Sequence, residues 1–417
     1  MKVFKFGGAS VKNAEAVRNV ASILLKFEVD NPVVVISAMG KMTNALEELH
    51  LLRFKHKNFN DSLQKIRSFH EEICIDLFGR VDQIPTLITS AIDQLEDLAH
   101  AAPTKSFDFE YDEIICFGEL ISTAIVQSFL AKSGIPSSWF DARQIVRTDN
   151  RQRGAKVDWE RSAIAVKQLK DRVDENQIIV TQGFIGMGTQ NNTTSLGREG
   201  SDFTAAILAF LLDAESVTIW KDVPGMLNAD PKWLSDFVKL DKISFHEAIE
   251  LAYYGASVIH PKTIKPLQNK NIPLYIKSFI DPDATGSVIQ ESTEFDQLVP
   301  SYIFKANQVL ISITPRDFSF VVEDNLKEIF SILSDHAIRI HMMENSAISF
   351  SICIDKDDYK QKLLFDDLQK AYQVRYNENL TLITVRHYDE NYLQSLVKDK
   401  EIILEQRSRH TVRMIVR

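Results

Sequence analysis

Five of the chain's fifteen glycines fall between Gly183 and Gly200, in the run TQGFIGMGTQNNTTSLGREGSDFTAAILAF, and this cluster restricts the fold more than any other feature. It follows an apolar strand, residues 178–180, and precedes a helix expected from near Ser201. Glycine lets backbone N–H groups approach an anion, and a helix starting there directs its positive end into the same space. The stretch therefore reads as a cradle for negative charge. An ordinary strand-to-helix connection is the competing reading of the glycines alone. Arg198, Ser201 and Asp202 weigh against it, because they gather a fixed cation, a capping hydroxyl and a carboxylate at one helix mouth.

The N-terminus shows a related pattern. Residues 2–6 read as a strand, Gly7 and Gly8 as a turn, and Val17, Val20, Ala21, Leu24 and Leu25 recur at helical spacing over 13–27. Lys5 is the charged residue inside that strand, and a lysine there can reach a phosphate held by the glycine amides. An exposed strand lysine is the alternative. A second strand, 32–36, runs into Ser37-Ala38-Met39-Gly40, with Thr43-Asn44 beyond it. Ligands of open α/β sheets lie beyond the carboxyl ends of the strands, so polar residues at successive strand ends point to one crevice. Residues 45–100 read as helical and charged. In a helix expected over 112–132, Glu119 interrupts the apolar pattern with Gly118 and Ser122 beside it. A solvated acid is the bland reading; the small neighbours favour a carboxylate facing a cleft.

A strand over 214–220 leads to two turns, 221–225 and 228–232, whose backbone edges could hold a purine. His260, followed by Pro261, reads as a structural histidine, and a further strand is expected over 272–277. No glycine follows Gly286, and from about Val299 short strands and helices alternate. Strands near 309–313, 338–342, 347–354 and 373–376 with helices over 325–335 and 359–371 compose a βαββαβ set. Residues 380–417 begin the set again and stop before its last helix and strand. Lacking a glycine cradle, this part reads as a binding or assembly module.

At 417 residues with 45% hydrophobic content, the chain is long enough for two or three domains with real cores. Net charge is −9 without a basic block, which disfavours nucleic acid as a partner. Cys74, Cys116 and Cys353 are widely spaced and odd in number, so neither a disulfide framework nor a protein-held metal is read. With no leader and no apolar run near eighteen residues, the expectation is a cytoplasmic protein with no membrane contact.

Together these segments resemble the aspartate kinases of the amino-acid kinase superfamily. The likeness rests on KFGGAS, SAMGKMTN, FGELIS, TQGF with GREGSD, the WKDVPG and ADP turns, GASVIHPKT, and a tail similar to tandem ACT domains. The resemblance implies an α/β fold: a three-layer αβα catalytic domain over 1–298 and an α+β ACT-like regulatory region, 299–379 and an incomplete 380–417. It implies transfer of the γ-phosphoryl of ATP, with Mg²⁺, to the side-chain carboxylate of L-aspartate, the entry to lysine, threonine and methionine synthesis. By matched position, Lys5, Gly7 and Gly8 hold the transferring phosphate, with Ser37 near the same point and Asp202 in the catalytic set. Thr43, Glu119, Arg198 and Ser201 surround aspartate, Arg198 on its α-carboxylate. Lys221, Asp222, Leu227, Asp230, Lys232 and Ser257 fall at nucleotide positions. The ACT-like pair implies a homodimer and an amino-acid effector, lysine or threonine, near Asn345 and Ser346.

Ala9, Lys221 and Ser257 depart from the family pattern, which has threonine, threonine and often lysine there; Lys221 or Lys262 could supply the charge missing at 257. Two alternatives remain at this point. One is another kinase of the superfamily, acting on glutamate, acetylglutamate or a nucleotide; the other is a catalytically weakened amino-acid sensor. An aspartate side chain with a pKa near ~3.9 is already ionised at neutral pH, so the chemistry needs charge neutralisation rather than a general base. Removing one such electrostatic donor costs roughly a hundredfold in rate. Lys5→Met is expected to keep the far-UV circular dichroism of the parent and lose at least about a hundredfold in turnover. Near-normal turnover would remove Lys5 from the mechanism.

Overall fold

Val33, Val34, Val35 and Ile36 are all fully buried, so the strand they form has no solvent face and must be covered on both sides. That condition shapes the larger sheet of the structure, a computed structural model that describes residues 1–26, 32–173, 177–256, 259–317 and 319–417. In chain order come β1 (Lys2–Phe6), α1 (Ala14–Lys26), β2 (Val33–Ile36), α2 (Met42–Phe54), α3 (Asn60–Phe78), α4 (Thr86–His100), α5 (Phe107–Ile115), α6 (Phe117–Lys132) and β3 (Ser137–Phe140). Next are α7 (Trp159–Ala165), α8 (Lys167–Val173), β4 (Ile178–Gln182), β5 (Ile185–Met187), β6 (Thr193–Ser195), α9 (Gly200–Leu212) and β7 (Ser216–Lys221). The short β8 (Met226–Leu227) and β9 (Lys239–Leu240) precede β10 (Lys242–Ser244), α10 (Phe245–Tyr254), α11 (Pro261–Asn269), β11 (Leu274–Ser278) and β12 (Ser287–Gln290).

The sheet runs β10-β12-β11-β7-β1-β2-β4-β3, parallel throughout except for β11 with β12. Phe4, Phe6, Val34, Ile36, Ile178, Val180 and Trp220 turn to one face, into a single buried cluster with residues of α1–α6. Side chains alternate along a strand, so Val3 and Lys5 turn to the other face, where α9 packs across β1, β2 and β7. The result is the expected three-layer αβα arrangement. Because β1 has β2 on one side and β7 on the other, its carboxyl end is a switch point where a crevice opens.

Two expectations about this part need correction. The helix over 112–132 is interrupted at Cys116, between α5 and α6. The stretch Phe107–Lys132 is also long and apolar enough to cross a bilayer by length and composition, contrary to the reading of no such run. Most of it is buried, so its apolarity is that of a core helix.

The described residues divide into two compact units: Met1–Met226, Lys239–Ile249 and Val258–Asp296 form the first, and Leu227–Val238, Glu250–Ser257 and Gln297–Arg417 the second. The second contains β13 (Ser301–Pro315), α12 (Glu323–Asp335), β14 (Ile340–Asn345), β15 (Phe350–Asp355), α13 (Asp358–Leu368), β16 (Tyr372–Arg386), α14 (Glu390–Val397), β17 (Ile402–Arg407) and β18 (Thr411–Val416). One antiparallel sheet holds its six strands in the order β14-β15-β13-β16-β18-β17. Where 373–376 and 380–386 were expected as separate strands, β16 is continuous. Register shifts around Gln308, with Asn307 and Asn379 in the left-handed region at φ +55° and +56°, bend β13 and β16 without breaking them.

Ser301–Lys305 pairs with the distal half of β16, so the strand missing from 380–417 is supplied by β13. Ala229 and Leu234 join the same core as Tyr302, Ile383 and Leu393, so the unit also recruits residues from within 1–298. A boundary between 379 and 380 therefore runs through a single strand of a single sheet. Ile311 is fully buried in the core formed by β13, β15, α12 and α13. Ile311→Ala is expected to cost about 2–5 kcal/mol, read as a lowered urea midpoint for the C-terminal unit; an unchanged midpoint would contradict that burial.

Candidate active site

The ends of β1, β2 and β4 step along one edge, because Ser37 N–H donates to Phe6 O (3.1 Å) and Gly183 N–H to Ile36 O (3.0 Å). Gly8 is pressed onto the turn after β2. Gly40 N–H donates to its carbonyl (3.0 Å), and a Cβ at Gly8 would lie 2.8 Å from Ala38 O and 2.9 Å from Gly40 O. Glycine alone tolerates that approach. Over this edge opens a cavity of about 600 Å³. Lys5, Gly8, Ser37 and Thr43 line one part of it, and Glu119, Arg198, Ser201, Asp202 and Lys221 another. Nine residues singled out from sequence thus share one hollow.

At its floor Asp202 lies between two lysines. Lys5 Nζ is 2.7 Å from Oδ1 and Lys221 Nζ 3.6 Å from Oδ2, and the carboxylate is 5% exposed. Burial pushes the Asp202 carboxyl up, but Lys5 and then Lys221 outweigh it and hold the group below its ordinary range. Asp202 stands in the first turn of α9, where the helix dipole also favours negative charge.

Glu119 behaves oppositely. Its Oε1 accepts from Ala38 N–H (3.2 Å), while Oε2 is buried and has no hydrogen-bond partner among the described residues. Burial pushes its carboxyl up to about 8, with the Ala38 amide and Lys5 pulling the other way, so the acid is largely protonated at neutral pH. The small neighbours act as expected. A Cβ at Gly118 would sit 2.9 Å from that of Ala38, and Ser122 Oγ donates to Ser37 O (2.7 Å), so α6 presses directly on the loop after β2.

The glycine cradle is narrower than expected: Gly197 and Gly200 line the cavity, whereas Gly183, Gly186 and Gly188 do not. Those three stand where a Cβ would strike Ser201, Thr148 and Asn150, so they serve packing. Nor is Ser201 a cap. The turn through Gly197 (φ +71°) and Glu199 (φ +54°) brings the chain into α9 at Gly200, leaving Ser201 inside the first turn and no side-chain cap.

Gly7 lies beside the cavity, with a Cβ position 3.4 Å from Lys5 Nζ, and Asp222 is exposed outside the lining. Leu227, Asp230 and Lys232 belong to the second unit, where Asp230 Oδ1 accepts from Lys232 N–H (2.9 Å). Ser257 lies outside the described residues. Asn345 ends β14 and Ser346 begins an exposed turn in which its Oγ meets Ser349 Oγ (2.8 Å).

Sequence reasoning missed Glu47, Tyr111, Arg153 and Ser195, which also line the cavity. The Arg153 guanidinium stacks 4.3 Å from the Tyr111 ring centre, and Tyr111 Oη donates to Glu47 (2.7 Å). Behind them, buried Asp112 accepts from Ser195 Oγ (2.6 Å), Ser195 N–H (3.1 Å) and Arg153 N–H (3.1 Å), joining α5 to β6 and to the Arg153 loop. Burial raises the Asp112 acid to about 6 against those hydrogen bonds. Four acids, Asp108, Glu110, Asp112 and Glu113, among the apolar residues of 107–115 were the available signal.

Residues 1–278 match the model of the amino acid kinase family. Lysine-sensitive aspartokinase 3 of Escherichia coli (strain K12) is 33% identical over 395 residues, 92% of this chain and 86% of that protein. The chain belongs to the aspartokinase branch of the amino acid kinase family. The crystal structure of E. coli aspartokinase III in complex with aspartate and ADP matches at TM-score 0.82 and 30% identity, covering all of this chain (100%) and 96% of that one. Its complex with lysine and aspartate matches at 0.83, with the same identity (30%) and coverage (100% and 96%). Aspartokinase 1, chloroplastic, of Arabidopsis thaliana is 31% identical over 85% of this chain, which spans 63% of that protein's length.

An aspartokinase cavity with a neutral buried acid carries a thermodynamic signature. Because the folded-state pKa of Glu119 is raised, its contribution to stability is fully present below the unfolded value and is lost as pH rises through about 8. Glu119→Gln is therefore expected to gain melting temperature relative to the parent between pH 5 and pH 9. A difference that is constant or shrinks over that range would contradict a raised pKa.

Proposed function

We infer that the chain transfers the γ-phosphoryl group of ATP to the side-chain carboxylate of L-aspartate, giving 4-phospho-L-aspartate for lysine, threonine and methionine synthesis. One observation carries this reading: the paired ammonium groups of Lys5 and Lys221 share a cavity with the guanidinium of Arg198 and the buried acid of Glu119. An anionic nucleophile must approach an anionic triphosphate, and such a reaction depends on positioning and neutralisation. Lys5, with the amides of Gly7 and Gly8 and the hydroxyl of Ser37, meets the transferring phosphate. Arg198 takes the α-carboxylate, Thr43 and Ser201 flank the substrate, and Glu119 takes its ammonium. Docking that ammonium favours ionised Glu119, so substrate binding releases a proton.

Lys221 and Asp222 serve the nucleotide, and Leu227, Asp230, Lys232 and Ser257 keep the nucleotide role implied by the family resemblance. Mg²⁺ would accompany ATP and neutralise charge on its phosphates. The second unit binds an end-product amino acid, lysine or threonine, near Asn345 and Ser346, and builds a homodimer; exposed Phe320, Met343 and Ile348 support such a contact. Three buried, unpaired cysteines suit the reducing cytoplasm.

Incubation with ATP, Mg²⁺, hydroxylamine and L-aspartate is expected to yield aspartyl hydroxamate, with none above background when L-glutamate replaces aspartate. Hydroxamate from glutamate alone, or from neither substrate, would overturn the reading.

A further inference from the structure

α11 begins at Pro261 with His260 as its cap, and His260 Nδ1 accepts from Lys262 N–H (3.1 Å). This fixes the root of the Lys262 side chain. Its ammonium lies 5.6 Å from the centre of the Phe203 ring on α9 and donates to two main-chain carbonyls, Leu196 O (3.1 Å) and Arg198 O. It is therefore occupied with the substrate loop rather than free to replace a lysine at 257.

Those carbonyls bracket the turn that delivers Arg198. Gly197 and Glu199, on either side of Arg198, are both left-handed, a conformation unfavourable for the non-glycine residue and kept only where neighbours enforce it. The Arg198 side chain is exposed at the cavity, and the turn fixes where it leaves the backbone. Lys262 is the side chain from α11 that ties that backbone down at two points. Burial draws the ammonium pKa below its ordinary value, with Glu199 and Asp202 opposing it.

We propose that Lys262 is a positioning residue for the amino-acid substrate: by bonding Leu196 O and Arg198 O it holds the Gly197–Glu199 turn in the shape that aims Arg198. This rests on the reading of Arg198 as the α-carboxylate ligand. It predicts an effect on aspartate rather than on ATP, because the turn that Lys262 holds carries Arg198, the residue read as the aspartate ligand.

Steady-state kinetics of the full chain tests it. Lys262→Met is expected to raise KM for aspartate about tenfold while kcat and KM for ATP stay within about twofold, the pattern of lost binding common to ground and transition states. Lys262→Arg, which keeps a donor, is expected to recover most of the loss, and Lys262→Gln part of it. In the double variant with Arg198→Ala, Lys262→Met should add less than about twofold to the effect of Arg198→Ala alone. An unchanged KM for aspartate in Lys262→Met, or a parallel rise in KM for ATP, overturns the proposal. So does full additivity with Arg198→Ala. If Lys262→Met does not fold, the Arg and Gln variants decide: parent-like KM for aspartate in both overturns the proposal, and a larger rise in Gln than in Arg supports it. Arg198→Ala with a parent-like KM for aspartate would instead overturn the reading of Arg198, a separate result.

Discussion

Everything in the catalytic unit depends on one buried carboxylate held between two ammonium groups. Asp202 comes from the first turn of α9, Lys5 from the middle strand of the sheet and Lys221 from the end of β7, so the triplet binds three elements together at the carboxyl edge. A buried charge left without its partner is destabilising, so each lysine supports the carboxylate in addition to the phosphate contact proposed for it. The arrangement also fixes net positive charge at the carboxyl edge, where the proposed function puts the transferring phosphate. Two lysines without Asp202 would repel one another; with it, they stay close and oriented.

The remainder of the cavity supplies complementary chemistry by desolvation. Glu119 sits in the same hollow but, among the described residues, has no cationic partner at bonding distance, so burial favours its protonated form. The site thus contains one acid forced into the charged state by lysines and another forced out of it by burial. That pairing suits the proposed substrate, an amino acid with an ammonium at one end and a carboxylate to be phosphorylated at the other. Asp112, through Ser195 and the Arg153 backbone, fixes the opposite wall.

What could be read from the sequence was whatever the local pattern encoded. A charged residue inside an apolar strand pointed to Lys5, and small residues on both sides of an acid pointed to Glu119. Glycine was ambiguous: the same residue serves an amide approach at Gly8 and mere packing at Gly183, and only the neighbouring backbone distinguishes the two. Asp112 escaped because its partners are 41 and 83 residues away, beyond any periodicity. Likewise Asn307 and Asn379 look like turn residues, yet opposed across a bulged ladder they let two long strands continue, which merges an apparently truncated repeat into one sheet.

The central claim is that one hollow brings both anions together. Crystals of the protein grown with L-aspartate and a non-hydrolysable ATP analogue test it most directly. The account predicts a terminal phosphate oxygen within about 3 Å of Lys5 Nζ, with the side-chain carboxylate of aspartate facing that phosphorus and its α-carboxylate on Arg198. Aspartate bound elsewhere, or a terminal phosphate out of reach of Lys5, would contradict it.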